Sequence, residues 1–347
     1  MKTAIVHIGA HKTGSTSIQA SLRQSQEALL TQGIRYFIDY DRQVQLLSLG
    51  LRRRALPLFK ADYPSVAAAK AASRETWIKL ARTVRRQREP FTVLSEEALL
   101  RIKMPHELAR LLHRIFDRVF IVAYVRDPIS RFPSSIDQWV REGRSTEQCV
   151  ARPLLVAPVF HKLIRYEEAF GASSLIVRNF DHHNWHGGSP CSDFAHVVSR
   201  IVDAPVAMTD AGSVNNSLPA SVTHALLKEN NERTARELAR TSQWREMRKS
   251  LIAEIRGFAA LLTPGKLALS GATPLMDHLC YAFAKEVDQI NTRYLIDQVA
   301  IRLPAAGRPL AAHAIRPEFD AWIGNYANSR DAELVGQLKA MLERPRL

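Results

Sequence analysis

The N-terminal half of the chain alternates short apolar runs with stretches of helical periodicity. The first run, residues 3–9, ends in a glycine, and residues 15–31 follow with apolar positions three to four residues apart. Further apolar runs of strand length occupy residues 33–38, 91–95, 119–125 and 174–180, and helix-like stretches rich in Arg, Ala and Leu separate most of them. This alternation predicts an α/β fold in which helices cover both faces of a parallel sheet.

The pattern changes after about residue 181. Residues 182–190 are polar and rich in glycine, and little beyond them has the pattern of a strand. Helical periodicity predominates in the remainder, at residues 192–202, 218–260, 275–300 and 315–342. We therefore predict an α/β core over residues 1–210 and a mainly helical part over residues 211–347 that packs on the core.

The junction between the first predicted strand and the first predicted helix has the sequence Gly-Ala-His-Lys-Thr-Gly-Ser-Thr, residues 9–16. A turn punctuated by glycines at such a junction directs backbone N–H groups to one point, where the helix N-terminus stabilises an anion. The hydroxyl groups of Thr13, Ser15 and Thr16 add donors, and Lys12 adds a positive charge. The segment predicts a phosphate-binding loop, and an ordinary helix-capping turn is the alternative.

The two glycines of this loop, Gly9 and Gly14, have the spacing of an ATPase P-loop, but Ser15 stands where the P-loop has its lysine. In an ATPase that lysine reaches the terminal phosphates and the next hydroxyl holds Mg²⁺. Here the lysine, Lys12, comes two residues before the second glycine. This difference argues against a kinase that uses ATP.

A second candidate for anion binding follows the apolar run at 119–125. The run ends at Arg126, and Asp127 with Pro128 is typical of a helix N-cap followed by a first-turn proline. Arg126 is therefore expected at the carboxyl edge of a parallel sheet, which is where ligands bind in such sheets. Taken alone, Arg-Asp-Pro is also a common passage from a strand into a helix.

These two segments resemble the sulfotransferases that use 3′-phosphoadenosine 5′-phosphosulfate, whose loop has the form Lys-Ser/Thr-Gly-Ser/Thr-Thr after an N-terminal strand. Residues 7–19, His-Ile-Gly-Ala-His-Lys-Thr-Gly-Ser-Thr-Ser-Ile-Gln, are especially similar to the bacterial branch, and the resemblance spans about residues 1–235. It implies a P-loop-like fold of three layers and a nucleotide-binding role for the α/β core. The residues that it assigns to the 5′-phosphosulfate are Lys12, Thr13, Gly14, Ser15 and Thr16, with Lys12 stabilising the leaving group.

The resemblance also implies a site for the 3′-phosphate of the nucleotide. The family has an arginine at the end of the strand and a serine eight residues later, and these positions are Arg126 and Ser134. Pro133 departs from the family pattern, because an apolar residue that continues a helix is usual there. Ser135 is the alternative to Ser134.

The chemistry requires a group that accepts the proton of the acceptor. Residues 91–95 predict a strand that is followed by two carboxylates, and bacterial relatives have a similar Ser-x-Glu, which makes Glu97 the first candidate for the base and Glu96 the second. A helix cap at Ser95 with acidic first-turn residues is the alternative interpretation of both. His11 is a further candidate for contact with the acceptor or the phosphosulfate, and a surface donor is the alternative for it.

The charge balance indicates an anionic partner. The chain has 48 Lys and Arg residues against 34 Asp and Glu residues, a formal net charge of +14, which suits a nucleotide, an anionic saccharide or glycolipid acceptor, or peripheral contact with an anionic membrane. The arginine runs at 52–54 and 85–88 lie in helix-like segments and are interpreted as solvated faces, so no nucleic acid partner is expected.

Neither a metal site nor a membrane anchor is expected from the sequence. The three cysteines, Cys149, Cys191 and Cys280, are far apart and lack zinc-site spacing, and the histidines at 182, 183 and 186 are interpreted as part of a polar loop. Because the chain has no signal-peptide pattern and no apolar run of spanning length, we expect a cytoplasmic protein, with the inner membrane face as an additional location.

The sequence thus predicts a sulfotransferase that moves a sulfuryl group from 3′-phosphoadenosine 5′-phosphosulfate to a hydroxyl or amine, with a saccharide or glycolipid as the expected acceptor. Two alternatives stay open. One is a P-loop kinase-like phosphotransferase, and the other is a non-catalytic binder of an anionic polymer or membrane. Nucleotide preference separates them, because only the sulfotransferase is expected to bind adenosine 3′,5′-bisphosphate much better than ATP or AMP.

Overall fold

The computed structural model of the protein describes residues 1–10, 12–37, 63–150, 159–212, 217–238, 241–271, 273–304 and 306–343. Within these ranges the strands are β1 (Thr3–His7), β2 (Ile34–Tyr36), β3 (Phe91–Ser95), β4 (Arg118–Val125) and β5 (Leu175–Asn179). The helices are α1 (Ser15–Gln24), α2 (Gln26–Thr31), α3 (Val66–Arg86), α4 (Pro105–His113), α5 (Pro128–Arg141), α6 (Thr146–Val150), α7 (Phe160–Phe170), α8 (Pro190–Val202), α9 (Ala220–Ala235), α10 (Ser242–Gly257), α11 (Pro274–Tyr294), α12 (Ala312–Gly324) and α13 (Ser329–Glu343).

The chain forms two compact units. The first consists of Met1–Arg126, Pro158–Asn215 and Asp288–Ile301, and the second consists of Asp127–Ala157, Asn216–Val287 and Arg302–Leu347. The units interleave along the sequence, and a division of the chain at residue 210 stays a prediction.

The first unit contains a five-stranded sheet in the order β2-β3-β1-β4-β5. All of its strand pairs are parallel, and β1 lies at the centre between β3 and β4. The α/β class and the strands predicted from the apolar runs are thereby confirmed. Because the strands are parallel, the carboxyl ends of β1, β3 and β4 lie at the same edge of the sheet. The strands that follow β1 are added first on one side of it and then on the other, and ligands bind at such a point in parallel sheets.

Helices cover both faces of this sheet, which explains why every residue of β1 is buried. One face carries the core formed with α1, α2 and α8, in which Ile18 and Leu22 pack against Val122 and other sheet residues. Alternate residues of a strand face opposite sides, so Ile121 and Ala123, also buried, face the other layer. There α4 and α7 contact each other and β4.

The edge of β5 is covered by a side chain. The amide of Gln298 accepts a hydrogen bond from the backbone N–H of Asn179 at 2.9 Å and donates one to the carbonyl of Val177 at 2.8 Å. It therefore pairs with the strand as a peptide group of a neighbouring strand would. This pairing holds the end of β5, after which Phe180 enters the site described below.

The second unit is helical in its described residues, which confirms the mainly helical C-terminal part. Its helices α5 and α9 are joined through the buried carboxylate of Asp137, which accepts a hydrogen bond from Thr223 at 3.2 Å and pairs with Arg141 at 3.0 Å. Arg248 of α10 is also buried, and its guanidinium group pairs with Glu229 at 2.9 Å. Among the helices that the structure describes, none combines the length and the apolar character needed to cross a membrane.

Candidate functional site

The loop between β1 and α1 has the geometry of an anion-binding turn. Lys12 and Gly14 both adopt the left-handed conformation, with φ values of 66° and 70°. Gly14 is the N-cap of α1, and no side chain accepts a hydrogen bond from the first N–H groups of the helix. The first hydrogen bond within the helix runs from the N–H of Ile18 to the carbonyl of Gly14. A helix N-terminus without a side-chain cap, preceded by left-handed turns, presents backbone donors to an anion.

The two buried hydroxyl groups of the loop have different roles. Thr13 donates a hydrogen bond to the carbonyl of Ala10 at 2.6 Å, so its proton is used to hold the loop closed. The Oγ atom of Ser15 is buried and has no hydrogen-bond partner among the described residues. A buried hydroxyl group without a partner is costly, and a bound anion would satisfy it.

Gly9 allows these hydroxyl groups to pack directly against the backbone. A Cβ atom placed on Gly9 would lie 2.1 Å from the Oγ of Ser15, 2.9 Å from the Oγ1 of Thr13 and 3.5 Å from the Nε2 of His7. Three polar side-chain atoms therefore surround one small region of the loop. Any residue other than glycine at this position would displace them.

Arg126, at the end of β4, lies against the loop. Its Nη1 donates a hydrogen bond to the carbonyl of Lys12 at 3.0 Å, and its guanidinium group lies 5.6 Å from the centre of the Phe180 ring. Phe180 in turn packs on Gly14, where a Cβ would lie 2.8 Å from the ring. The structure thus brings Arg126 and Lys12 together, and this contact was not predicted from the sequence.

His7 belongs to the same region, and the sequence analysis missed it. It is the last residue of β1, its side chain is completely buried, and its Nδ1 lies 2.8 Å from the Oγ of Ser95 at the end of β3. Burial lowers the pKa of His7 to about 4, while the charge of Glu97 opposes this shift. The signal in the sequence is a titratable residue within an otherwise apolar strand.

The two glutamates after β3 differ in their surroundings. Glu96 is buried and caps the short 3₁₀ helix Glu97–Arg101 by accepting a hydrogen bond from the N–H of Ala98 at 2.6 Å. The cap is therefore Glu96 and not Ser95, whose hydroxyl group contacts His7 instead. Burial raises the pKa of Tyr36 to about 12, and the charge of Glu96 adds to this shift.

Glu97 is half-buried, and its carboxylate lies 3.6 Å from the guanidinium group of Arg101. Its charge acts on His7, whereas the charge of Glu96 acts on Tyr36. Of the two carboxylates, Glu97 is thus the one whose charge influences His7. The choice of Glu97 as the base, with Glu96 as the second candidate, stays a prediction.

A buried network supports the strand ends around the loop. The hydroxyl group of Tyr124 donates to the carboxylate of Asp193 at 2.7 Å, and Arg178 pairs with the same carboxylate at 2.5 Å. Asp193 is fully buried on α8, and Arg178 lies on β5 two residues before Phe180. The network therefore fixes β4, β5 and α8 against one another next to the loop.

The predicted 3′-phosphate serine lies in the second unit. Asp127 caps α5 as predicted, accepting hydrogen bonds from the N–H groups of Ile129 and Ser130 at 2.9 and 3.0 Å. Ser134 is half-buried on this helix, one residue after Pro133. Ser135 donates its hydroxyl group to the carbonyl of Arg131 at 3.1 Å, and the assignment of Ser134 or Ser135 to the 3′-phosphate stays a prediction.

The other histidines singled out in the sequence are His11 and the group at residues 182, 183 and 186. His11 lies outside the described residues. Asp181, His182 and His183 have potential ligand atoms within 4.8 Å of one another. Both histidines are exposed.

Comparison with known proteins gave one structural similarity to report. No family model matches the chain, and no curated protein matches it. The crystal structure of a sulfotransferase from Alicyclobacillus acidocaldarius aligns over 86% of this chain and 97% of its own, with 14% sequence identity and a TM-score of 0.41.

Proposed function

We propose that the protein is a sulfotransferase that uses 3′-phosphoadenosine 5′-phosphosulfate. The observation that carries the proposal is the loop 9–16 at the carboxyl edge of the sheet. There an uncapped helix N-terminus and the buried hydroxyl group of Ser15, which has no hydrogen-bond partner among the described residues, follow Lys12 in the chain. The backbone donors at the N-terminus of α1 and the buried hydroxyl group of Ser15 suit a phosphate or sulfate group.

The position of Ser15 supports a sulfuryl donor over ATP. In an ATPase P-loop a lysine at this position extends to the terminal phosphates. Here the position is a buried serine, only 6% exposed, and the positive charges of the loop region come from Lys12 and Arg126. Such a loop neutralises the bridging oxygen of a leaving nucleotide without the lysine that an ATPase requires.

The residues have the following roles in the proposed reaction. The donor supplies an activated sulfuryl group, which passes to the oxygen or nitrogen atom of the acceptor while the sulfur–oxygen bond to the nucleotide breaks. Lys12 neutralises the negative charge that develops on the nucleotide phosphate. Glu97 accepts the proton of the acceptor. Arg126 and Ser134 bind the 3′-phosphate, and a saccharide or glycolipid is the expected acceptor.

The test is the nucleotide preference of the wild-type protein. Calorimetry should show much tighter binding of adenosine 3′,5′-bisphosphate than of AMP or ATP. Tighter binding of ATP in the presence of Mg²⁺ would favour the kinase alternative, and the absence of a preference would contradict the sulfotransferase. A screen of acceptors with labelled donor then identifies the substrate.

The role of Arg126 has a separate test. A charge-assisted contact contributes about 1.5–3 kcal/mol, so the Arg126→Ala variant should lose roughly ten- to a hundredfold of the preference for the bisphosphate over AMP. Arg118→Ala, an exposed arginine at the other end of the same strand, is the matched control and should keep the preference. An equal loss for both ligands would show that Arg126 only holds the loop through the Lys12 carbonyl.

A further inference from the structure

Among the described residues, only one of the two ring nitrogens of His7 has a hydrogen-bond partner. Its Nδ1 pairs with the hydroxyl group of Ser95 at 2.8 Å, whereas its Nε2 is buried and has no hydrogen-bond partner among the described residues. The rings of Tyr124 and Phe194 flank it at 5.8 and 5.3 Å. A purely structural residue in this apolar position would not need a polar atom at Nε2.

The Nε2 atom of His7 lies close to Gly9, the first residue of the loop. The region beside Gly9 that a Cβ would fill is within 3.5 Å of the Nε2 of His7 and within 2.1 Å of the Oγ of Ser15. Both atoms are buried, and neither has a hydrogen-bond partner among the described residues. Thr13 cannot supply a proton to them, because its hydroxyl proton is bonded to the Ala10 carbonyl.

The protonation state of His7 decides what it can offer. Burial keeps the imidazole neutral, so one ring nitrogen is a donor and the other is an acceptor. If the hydroxyl group of Ser95 donates to Nδ1, then Nε2 carries the proton. When the Ser15 oxygen accepts a hydrogen bond from this N–H group, its own O–H group is available to donate a hydrogen bond to an anion.

We propose that His7 is a positioning residue of the phosphate loop. In the anion-bound state Ser95 donates to its Nδ1, its Nε2–H donates to the Oγ of Ser15, and the Ser15 hydroxyl group donates to the bound phosphate or sulfate. This chain of hydrogen bonds links the end of β3, which carries Glu97, to the floor of the loop. The inference deepens the proposed function and rests on the anion site assigned there.

Two amide substitutions distinguish the roles of the two ring nitrogens of His7. The amide of glutamine reaches the place of Nε2, and the shorter amide of asparagine reaches the place of Nδ1. We expect the His7→Gln variant to bind adenosine 3′,5′-bisphosphate nearly as well as the wild type. The His7→Asn variant should bind it about five- to tenfold more weakly, because one hydrogen bond of the chain is lost.

A purely structural role predicts a different result. In that case His7→Asn, which keeps the contact with Ser95, would bind as the wild type does, and His7→Gln would bind no better than His7→Asn. Either outcome would overturn the proposal. Circular dichroism and melting temperature of both variants establish that the fold is retained.

A double-mutant cycle tests whether His7 acts through Ser15. The Ser15→Ala variant should itself lose affinity for the bisphosphate. Adding His7→Asn to it should then cause little further loss, because the link is already broken. Fully additive losses would show that His7 does not act through Ser15.

A measurement on the wild-type protein does not depend on variants that fold. Nitrogen NMR of the imidazole, with the bisphosphate at saturation, should show the proton of His7 on Nε2. A proton on Nδ1 would overturn the proposal. If the wild type binds neither the bisphosphate nor inorganic pyrophosphate, the proposed function and the role of His7 both fail. Binding of pyrophosphate alone, with the same ranking of the two variants, would sustain the role of His7 and contradict the nucleotide assignment.

Discussion

Acidification should destabilise the protein through His7. The pKa of a histidine in an unfolded chain is about 6.5, whereas burial lowers the pKa of His7 in the folded protein to about 4. Between these two values the unfolded chain binds a proton that the folded protein does not bind. Protonation therefore favours the unfolded state, and the free energy of unfolding falls as the pH falls through this window.

The magnitude follows from the two pKa values. His7 has its full effect on stability above about pH 6.5, and the effect decreases until about pH 4. Between about pH 7 and about pH 4.5 the linkage relation gives a loss of about 2 kcal/mol in the free energy of unfolding. The charge of Glu97 opposes the shift, and desolvation beside Tyr124 and Phe194 is the larger effect.

The assay compares urea denaturation of the wild type and of the His7→Gln variant at both pH values. Other groups titrate in both proteins, so the difference between the two pH dependences isolates His7. We expect the wild type to lose about 2 kcal/mol more than the variant on acidification. Identical pH dependences would refute the reasoning, and NMR titration of the His7 ring gives its pKa directly as a check.

Three further predictions concern the loop and the carboxylates. Lys12→Ala should reduce turnover steeply with little change in melting temperature, because it removes a formal charge from the leaving group; unchanged turnover in a folded variant would contradict the proposed site. Gly9→Ala should abolish binding of adenosine 3′,5′-bisphosphate in calorimetry, because the added Cβ would lie 2.1 Å from the Oγ of Ser15. Gly336→Ala is the control and should bind the nucleotide normally, because a Cβ at that position meets nothing within 4 Å. Glu97→Gln should lower the rate of turnover by roughly 10²- to 10⁴-fold without changing nucleotide affinity, and Glu96→Gln should mainly lower stability. Wild-type rates in both variants would exclude the two glutamates as the base and make His11 the next residue to test.

The local pattern of the sequence was sufficient for the elements of the fold. Strand, loop and helix at the N-terminus follow from an apolar run, two glycines and helical spacing, and each requires only residues near one another in the chain. The cap at Asp127 was predictable for the same reason. These features depend on backbone preferences and short-range hydrogen bonds, which the sequence displays directly.

The strand order and the composition of the site were decided by long-range pairing. Parallel pairing places His7 beside Ser95, 88 positions away, and brings the end of β4 next to the loop, so that Arg126 reaches the carbonyl of Lys12. A histidine within an apolar strand is visible in the sequence, but the sequence does not show whether its side chain borders a binding loop or fills the core.

For the two glutamates, too, the sequence predicted the groups that are present and the tertiary structure decided their surroundings. The sequence predicted two adjacent carboxylates after β3 and could not rank them on physical grounds, because both suit a helix start. The tertiary structure separates them, since Glu96 is turned into a cap near Tyr36 and Glu97 acts on His7. The sequence by itself thus determined which chemical groups are available at the edge of the sheet. Tertiary packing determined which of them share one site, because proximity and burial depend on residues far apart in the chain.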